Sequence, residues 1–150
     1  MSVSKERETY VESQIMAFNR IHFQGWEQSH DSQYKAAPLH IFVLDVQGQV
    51  IGGLTGSTHS IREWLEVSVV WVSEAYRHQS IGRALMARAE EEARQRGCRY
   101  ARLATSDFQA PGFYEKLGYI VYGTLENCPP GDRSFYFYKP LFPAGMGLKV

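Results

Sequence analysis

Between Lys5 and His22, residues Val11, Ile15, Phe18 and His22 recur at helical spacing with Tyr10 beside them, which predicts an amphipathic first helix. From Gln24 to Pro38 that period is lost; the stretch is polar, contains Gly25 and Pro38, and reads as a loop or a broken second helix. Leu39–Val46 and Val50–Thr58 are strand candidates joined through Gly48, which supplies the positive φ a hairpin turn wants. Gly52, Gly53 and Gly56 weaken the second strand and imply close approach by another backbone or a ligand. Leu65–Val72 is β-branched and nearly continuous, as a central strand should be.

Period 3.6 returns at Ser80–Arg96, where Ile81, Leu85, Ala89 and Ala93 form one face and Gly97 ends the helix. Arg99–Thr105 follows as a short strand, so strand, helix and strand make a parallel crossover unit, which is right-handed in nearly all proteins. Pro111 opens a short helix closed by Gly118. Tyr119–Leu125 and Ser134–Leu141 alternate as two last strands around the turn Pro129-Pro130-Gly131-Asp132. The stretch from Phe142 is expected to be loosely held.

A chain of 150 residues fits one domain, read here as 1–150, and 44% hydrophobic content is that of an ordinary globule. Sixteen basic and sixteen acidic residues give no net charge, which argues against general attraction to nucleic acid or an anionic membrane. No apolar run approaches membrane-spanning length, so a cytoplasmic location is expected. Cys98 and Cys128 lack the spacing of a metal site and the density of a disulfide scaffold; both are expected reduced, with Cys98 packing. The five histidines also lack ligand spacing, so no metal is expected.

Candidate chemistry sits where the strand Leu65–Val72 turns into the helix opening at Gly82, because a helix N-terminus offers free backbone N–H groups to a phosphate. Arg77-His78-Gln79-Ser80-Ile81-Gly82 resembles the Gln/Arg-x-x-Gly-x-Gly/Ala motif of the GCN5-related N-acetyltransferase (GNAT) superfamily. Phe113-Tyr114-Glu115-Lys116-Leu117-Gly118-Tyr119 is similar to the second signature of that superfamily, at the expected separation. Two motifs with their intervening strand carry the resemblance, which covers about Leu39 to Leu141 in element order. It implies an α/β (α+β) fold: a mixed, mostly antiparallel twisted sheet of about six strands, flanked by three to four helices. His78 and Ser80 stand where the family favours Gly, and Ser80 is expected to weaken cofactor binding without abolishing it. The usual opening strand of the family is not evident.

The resemblance also implies an acetyl-CoA-dependent acyltransferase working by direct attack in a ternary complex. The backbone from His78 through Gln79, Ser80, Ile81 and Gly82 to Arg83 would cradle the pyrophosphate, with Arg77 and Arg83 adding charge. Gly82 is expected to leave room for that approach. By resemblance the strand ending at Trp71 and Val72 splays from its neighbour, pantetheine pairs with its backbone, and the Val72 N–H meets the developing oxyanion. Tyr114 takes the part of general acid, protonated at neutral pH because its ordinary pKa is near 10.

Glu66, six residues before Val72, is expected on the same sheet face and resembles the strand glutamate of the histone-acetyltransferase branch, a general base acting through water. Glu63, His59, His40 or ordered water alone are the alternatives. Trp26, Tyr34, Phe108 and the run Phe135–Tyr138 can line an acceptor pocket, although Phe135 and Phe137 at alternating spacing also read as core. Gln24–Pro38 suits either a cover for that pocket or a plain surface connection. The expected acceptor is a primary amine of a small molecule; a protein lysine or N-terminus, or an acyl-CoA-binding module without turnover, are the alternatives. The resemblance further suggests a homodimer.

Overall fold

The computed structural model describes residues 3–23 and 36–142. The chain divides into two compact units, residues 1–35 and 36–150. In the first, helix α1 spans Val3–His22, two residues longer at its start than the apolar period indicates, with Phe18 and His22 in ring contact one turn apart. Trp26, Tyr34, most of the Gln24–Pro38 stretch and all but the first residue of the tail from Phe142 lie outside the described residues.

The second unit carries a six-stranded sheet. Its elements are β1 (Ala37–Leu44), β2 (Val50–His59), β3 (Trp64–Val72), α2 (Ile81–Gln95), β4 (Tyr100–Ser106), α3 (Pro111–Lys116), β5 (Ile120–Glu126) and β6 (Arg133–Pro140). Strand order is β1-β2-β3-β4-β6-β5, in which β3 and β4 are the parallel pair and every other neighbour is antiparallel. The α/β (α+β) expectation holds, including the β3–α2–β4 crossover.

Two boundaries move for identifiable reasons. β1 starts early enough to include Pro38, because an edge strand tolerates a residue without an N–H. Its carbonyl takes a hydrogen bond from Arg96 Nη1 at 2.9 Å. β1 also stops at Leu44, before Val46, because the Asp45 carboxylate accepts from the Gln47 and Gln49 amides, both at 2.9 Å, and pulls the chain into its turn.

The core lies on the sheet face that α2 covers. Leu85, Met86, Ala89 and Ala93 of α2 meet Leu54, Leu65, Val67, Leu103 and Phe137 of the strands. Phe135 packs against the same cluster, so Phe135 and Phe137 are core, as alternation suggested. Cys98 is buried with them; both cysteines are free thiols. Gly97 ends α2 with φ of +86°: its N–H bonds to Arg94 O at 3.0 Å and the Cys98 N–H to Ala93 O at 2.9 Å, a Schellman closure. Among the described residues no helix is long and apolar enough to cross a membrane.

What matters most for a site is where the sheet comes apart. β3 and β4 pair only at Trp64–Tyr100, Leu65–Ala101 and Glu66–Arg102; beyond Glu66 the strands separate into a fork. One residue further, β3 carries a bulge: Val67 faces Gly56 and Val69 faces Thr55, leaving Ser68 as the extra residue. A bulge bends and twists its strand, which turns β3 away from β4. Gly56 permits it, since a Cβ there would collide with the Glu66 carbonyl oxygen. The close backbone approach expected of the β2 glycines is this one.

Candidate active site

The turn from β3 into α2 supplies one wall of the site. Ser80 is the N-cap of α2, and the Ala84 N–H makes the first helical hydrogen bond, to Ser80 O at 3.0 Å. The amides of Ile81, Gly82 and Arg83 therefore stand at the open, electropositive end of a 15-residue helix. His78 and Ser80 both adopt left-handed backbone, with φ of 65° and 63°. These are the two positions at which the motif favours Gly, and the loop takes the glycine-like shape regardless. Arg77 Nε bonds to Val72 O at 3.1 Å, which ties the loop back to the end of β3.

Beside this loop lies a cavity of about 670 Å3 lined by Val70, Trp71, Val72, Tyr76, Arg77, His78, Ser80, Ile81, Gly82 and Arg83, with Gln109, Ala110, Phe113 and Tyr114 opposite. It brings the loop and α3 together across the fork. Gln79, expected beside His78, does not line it. The Ser73 N–H bonds to Ile51 O at 2.8 Å, so by strand alternation Trp71 also turns its peptide groups to β2, while Val70 and Val72 direct theirs into the fork. Val72 therefore presents its N–H to the cavity, and Trp71 contributes through its half-exposed indole.

Gly82 does something other than expected. A Cβ on it would lie 3.3 Å from Phe113 Cζ and 3.9 Å from Val72 Cγ2, so the space it leaves is filled by the Phe113 ring rather than kept for a phosphate. Phe113 meets Tyr114 edge to face at a centroid distance of 5.0 Å. Tyr114 also touches Tyr119 and Phe137, both at 6.1 Å, on the α2 side of the sheet. Burial pushes its hydroxyl pKa up. Tyr114 also lines the cavity described above.

Glu66 corrects a geometric expectation. Six residues of uninterrupted strand would put it on the face of Val72, but the bulge at Ser68 shifts the alternation by one. Leu65, Val67, Val70 and Val72 turn toward α2, whereas Trp64, Glu66, Val69 and Trp71 turn to the other face. Glu66 is the last paired residue of β3 and sits at the apex of the fork. Its carboxylate is 2.9 Å from Arg102 Nε, and Arg102 lies over the Trp64 ring at 4.5 Å. Partial burial raises the Glu66 pKa, opposed by the charges of Arg102 and His59. Glu63 instead pairs with Arg99, and His59 meets Ser57 Oγ at 3.2 Å.

Sequence reasoning missed several lining residues. Val70 follows from the bulge, which leaves no signal in residue types. Gln109 and Ala110 come from a 3-10 turn ending in left-handed Ala110, φ of 56°, where no glycine marks the position. Phe113 lay inside the second motif, and its role shows only once α2 is placed against it.

The residues fit a nucleotide thioester donor: free amides at a helix end, two arginines, and a strand edge beside a cavity that β4 leaves unpaired beyond Glu66. The family model described as "Acetyltransferase (GNAT) family" matches residues 7–119. Blasticidin-S acetyltransferase of Streptomyces morookaense is 38% identical over 111 residues, 71% of this chain and 80% of that protein. Acetyltransferase Atu2258 of Agrobacterium fabrum is 37% identical over 134 residues, covering 89% and 90%. The crystal structure of an acetyltransferase from Bacillus cereus superposes with a TM-score of 0.73 at 28% identity, covering 93% of this chain and 95% of that one. With the fork, the amide-lined loop and these relatives in agreement, the chain belongs to the GNAT family and is an acetyl-CoA-dependent acyltransferase.

Proposed function

We propose that the protein acetylates a primary amine of a small molecule by direct attack while both substrates are bound. The observation that carries this reading is the arrangement around the fork: Tyr114 lies on the α2 side, Glu66 on the opposite face, and the Val72 N–H between them. Acetyl-CoA supplies the acyl thioester. The Ile81–Arg83 amides, with Arg77 and Arg83, hold its diphosphate, and the fork-facing groups of Val70 and Val72 align its arm as an added strand would.

The amine approaches from the face that carries Glu66. Glu66 takes a proton from the ammonium form, directly or through water, and its raised pKa suits a base working closer to neutrality than an ordinary glutamate. As the N–C bond forms, the fixed Val72 amide meets the charge growing on the acyl oxygen. As the C–S bond breaks, Tyr114 gives its proton to the departing sulfur, and the second proton shed by the nitrogen as it becomes an amide returns through solvent to restore the phenol. Burial keeps that phenol protonated throughout the physiological range.

A small-molecule acceptor is supported by the likeness to a protein named for acetylating blasticidin S. Thiol release from acetyl-CoA is therefore measured against blasticidin S, a polyamine, an aminoglycoside, an amino acid and a lysine peptide. Tyr114→Phe is expected to lower kcat about tenfold to a thousandfold while the calorimetric Kd of CoA changes less than about twofold. Unaltered turnover removes Tyr114 from the mechanism. Turnover confined to the peptide transfers the function to protein amines, and tight CoA binding without turnover on any amine leaves a binding module.

A further inference from the structure

Helix α3 is only six residues long, and a helix that short does not hold its own place in water. Yet it carries Tyr114, whose hydroxyl has to meet one sulfur atom. Its position is set by attachments, and two of them reach α2. The first is Phe113 seated on Gly82 at the helix N-terminus. The second lies eight residues further along α2, roughly 12 Å at 1.5 Å per residue, and is built around a buried carboxylate.

Glu90 is 4% exposed although it opens a run of three glutamates. One of its oxygens accepts the Tyr119 hydroxyl at 3.1 Å, and the other accepts Lys139 Nζ at 2.6 Å. Lys139 also lies 5.6 Å from the Tyr119 ring centroid. Tyr119 is joined to Tyr114 twice. Its N–H bonds to Tyr114 O at 3.1 Å as the closing bond of a Schellman motif through Gly118, and its ring meets the Tyr114 ring at 76°. Both the carboxylate and the proton of Tyr119 are held from solvent, and burial with the Glu90 charge raises the Tyr119 pKa far beyond the ordinary range.

Burying a charge pair is a poor route to stability, since apolar residues of similar volume commonly do as well or better. Leucine at 90 and methionine at 139 would fill the same space. What the pair supplies instead is direction: Lys139 holds one Glu90 oxygen and the other takes the Tyr119 hydroxyl, which fixes Tyr119 where packing alone would leave it free to slide.

We propose that Glu90, Tyr119 and Lys139 form a positioning device that aims the Tyr114 hydroxyl at the departing sulfur, with Glu90 carrying the alignment of α2 to α3. This rests on Tyr114 being the acid, so every variant is made in both the wild-type and the Tyr114→Phe background. The assay is acetyl-CoA thiol release with the amine of the panel that the wild type uses fastest.

Tyr119→Phe, which removes one hydroxyl and keeps the ring, is expected to lower kcat about five- to twentyfold while KM for acetyl-CoA stays within about twofold. In the Tyr114→Phe background the same change is expected to cost nothing further, because there is no acid left to aim. Glu90→Leu with Lys139→Met, made together with Tyr119→Phe, tests the device with neither a charge nor a buried hydroxyl orphaned: melting temperature equal to or above the wild type, kcat lowered as for Tyr119→Phe alone. The inference is overturned if either variant keeps wild-type kcat, or if the loss persists undiminished in the Tyr114→Phe background. If Tyr114→Phe itself is silent, the acid assignment falls first and this inference with it, an outcome distinct from the other two.

Discussion

The two faces of β3 make different kinds of site from one strand. Toward α2, the proposed donor side is built largely from backbone: the Ile81–Arg83 amides, the Val70 and Val72 peptide groups, and left-handed turns at His78 and Ser80. On the other face, side chains are brought together by pairing across strands, with Glu66 of β3, Arg102 of β4 and Trp64 in one contact group, and the proposed acceptor chemistry depends on them. Backbone groups can hold a ligand while tolerating change in residue identity. Side-chain clusters define what one member does and tolerate little. The donor is therefore readable from a motif, whereas the acceptor is not.

The largest effect expected from breaking this contrast comes from Glu66→Gln. The amide keeps the shape and can still accept from Arg102, but it takes no proton. kcat/KM for the amine is expected to fall about tenfold to a hundredfold, with CoA affinity unchanged. The pH profile gives a finer signature. Burial raises the Glu66 pKa, so its base form fills at higher pH than an ordinary glutamate near 4.3, and the acidic limb of kcat/KM moves up accordingly. That limb should vanish in the variant, whereas a limb that survives assigns proton removal to water or another group. In the proposed mechanism Tyr114 carries the opposite limb: its raised pKa keeps the acid form intact past the ordinary tyrosine value of about 10.

Gly82→Val sits between the two regimes. The added side chain meets the Phe113 ring before it meets any phosphate. The expected result is a mixed defect, with CoA affinity about threefold to tenfold weaker and kcat lowered several-fold through Tyr114. A pure affinity loss with normal kcat would show that Phe113 yields without disturbing its neighbour.

The smallest effect belongs to Ser80→Gly. Ser80 already holds the left-handed backbone that the motif glycine provides, and its hydroxyl makes no capping bond. Glycine removes about 1 kcal/mol of left-handed strain and adds back a similar unfolded-state entropy. Melting temperature is expected to shift by no more than a few degrees and the acetyl-CoA KM by less than about threefold. A tenfold gain in affinity would restore the view that serine weakens the loop.

Much of the fold was legible because local chemistry wrote it. The β-branched run gave β3, the Ile81–Leu85–Ala89–Ala93 face gave α2, and Gly97 and Gly118 closed two helices. The turn that opens α2 was legible for the same reason. Three things were not, and all depend on partners far along the chain. The bulge at Ser68 exists because Gly56, on another strand, has room for it, and it alone decides which face Glu66 takes. In the run Glu90-Glu91-Glu92, only the first goes inside, because Tyr119 and Lys139 wait for it there. Ala110 adopts a backbone that its residue type gave no reason to expect.

The parting of β3 and β4 also bears on traffic. A gap through a sheet has two mouths, and the proposed reading puts nucleotide at one and amine at the other. Neither then blocks the doorway of its partner, so loading in either sequence is open to this enzyme, and each spent molecule can leave without waiting for the other.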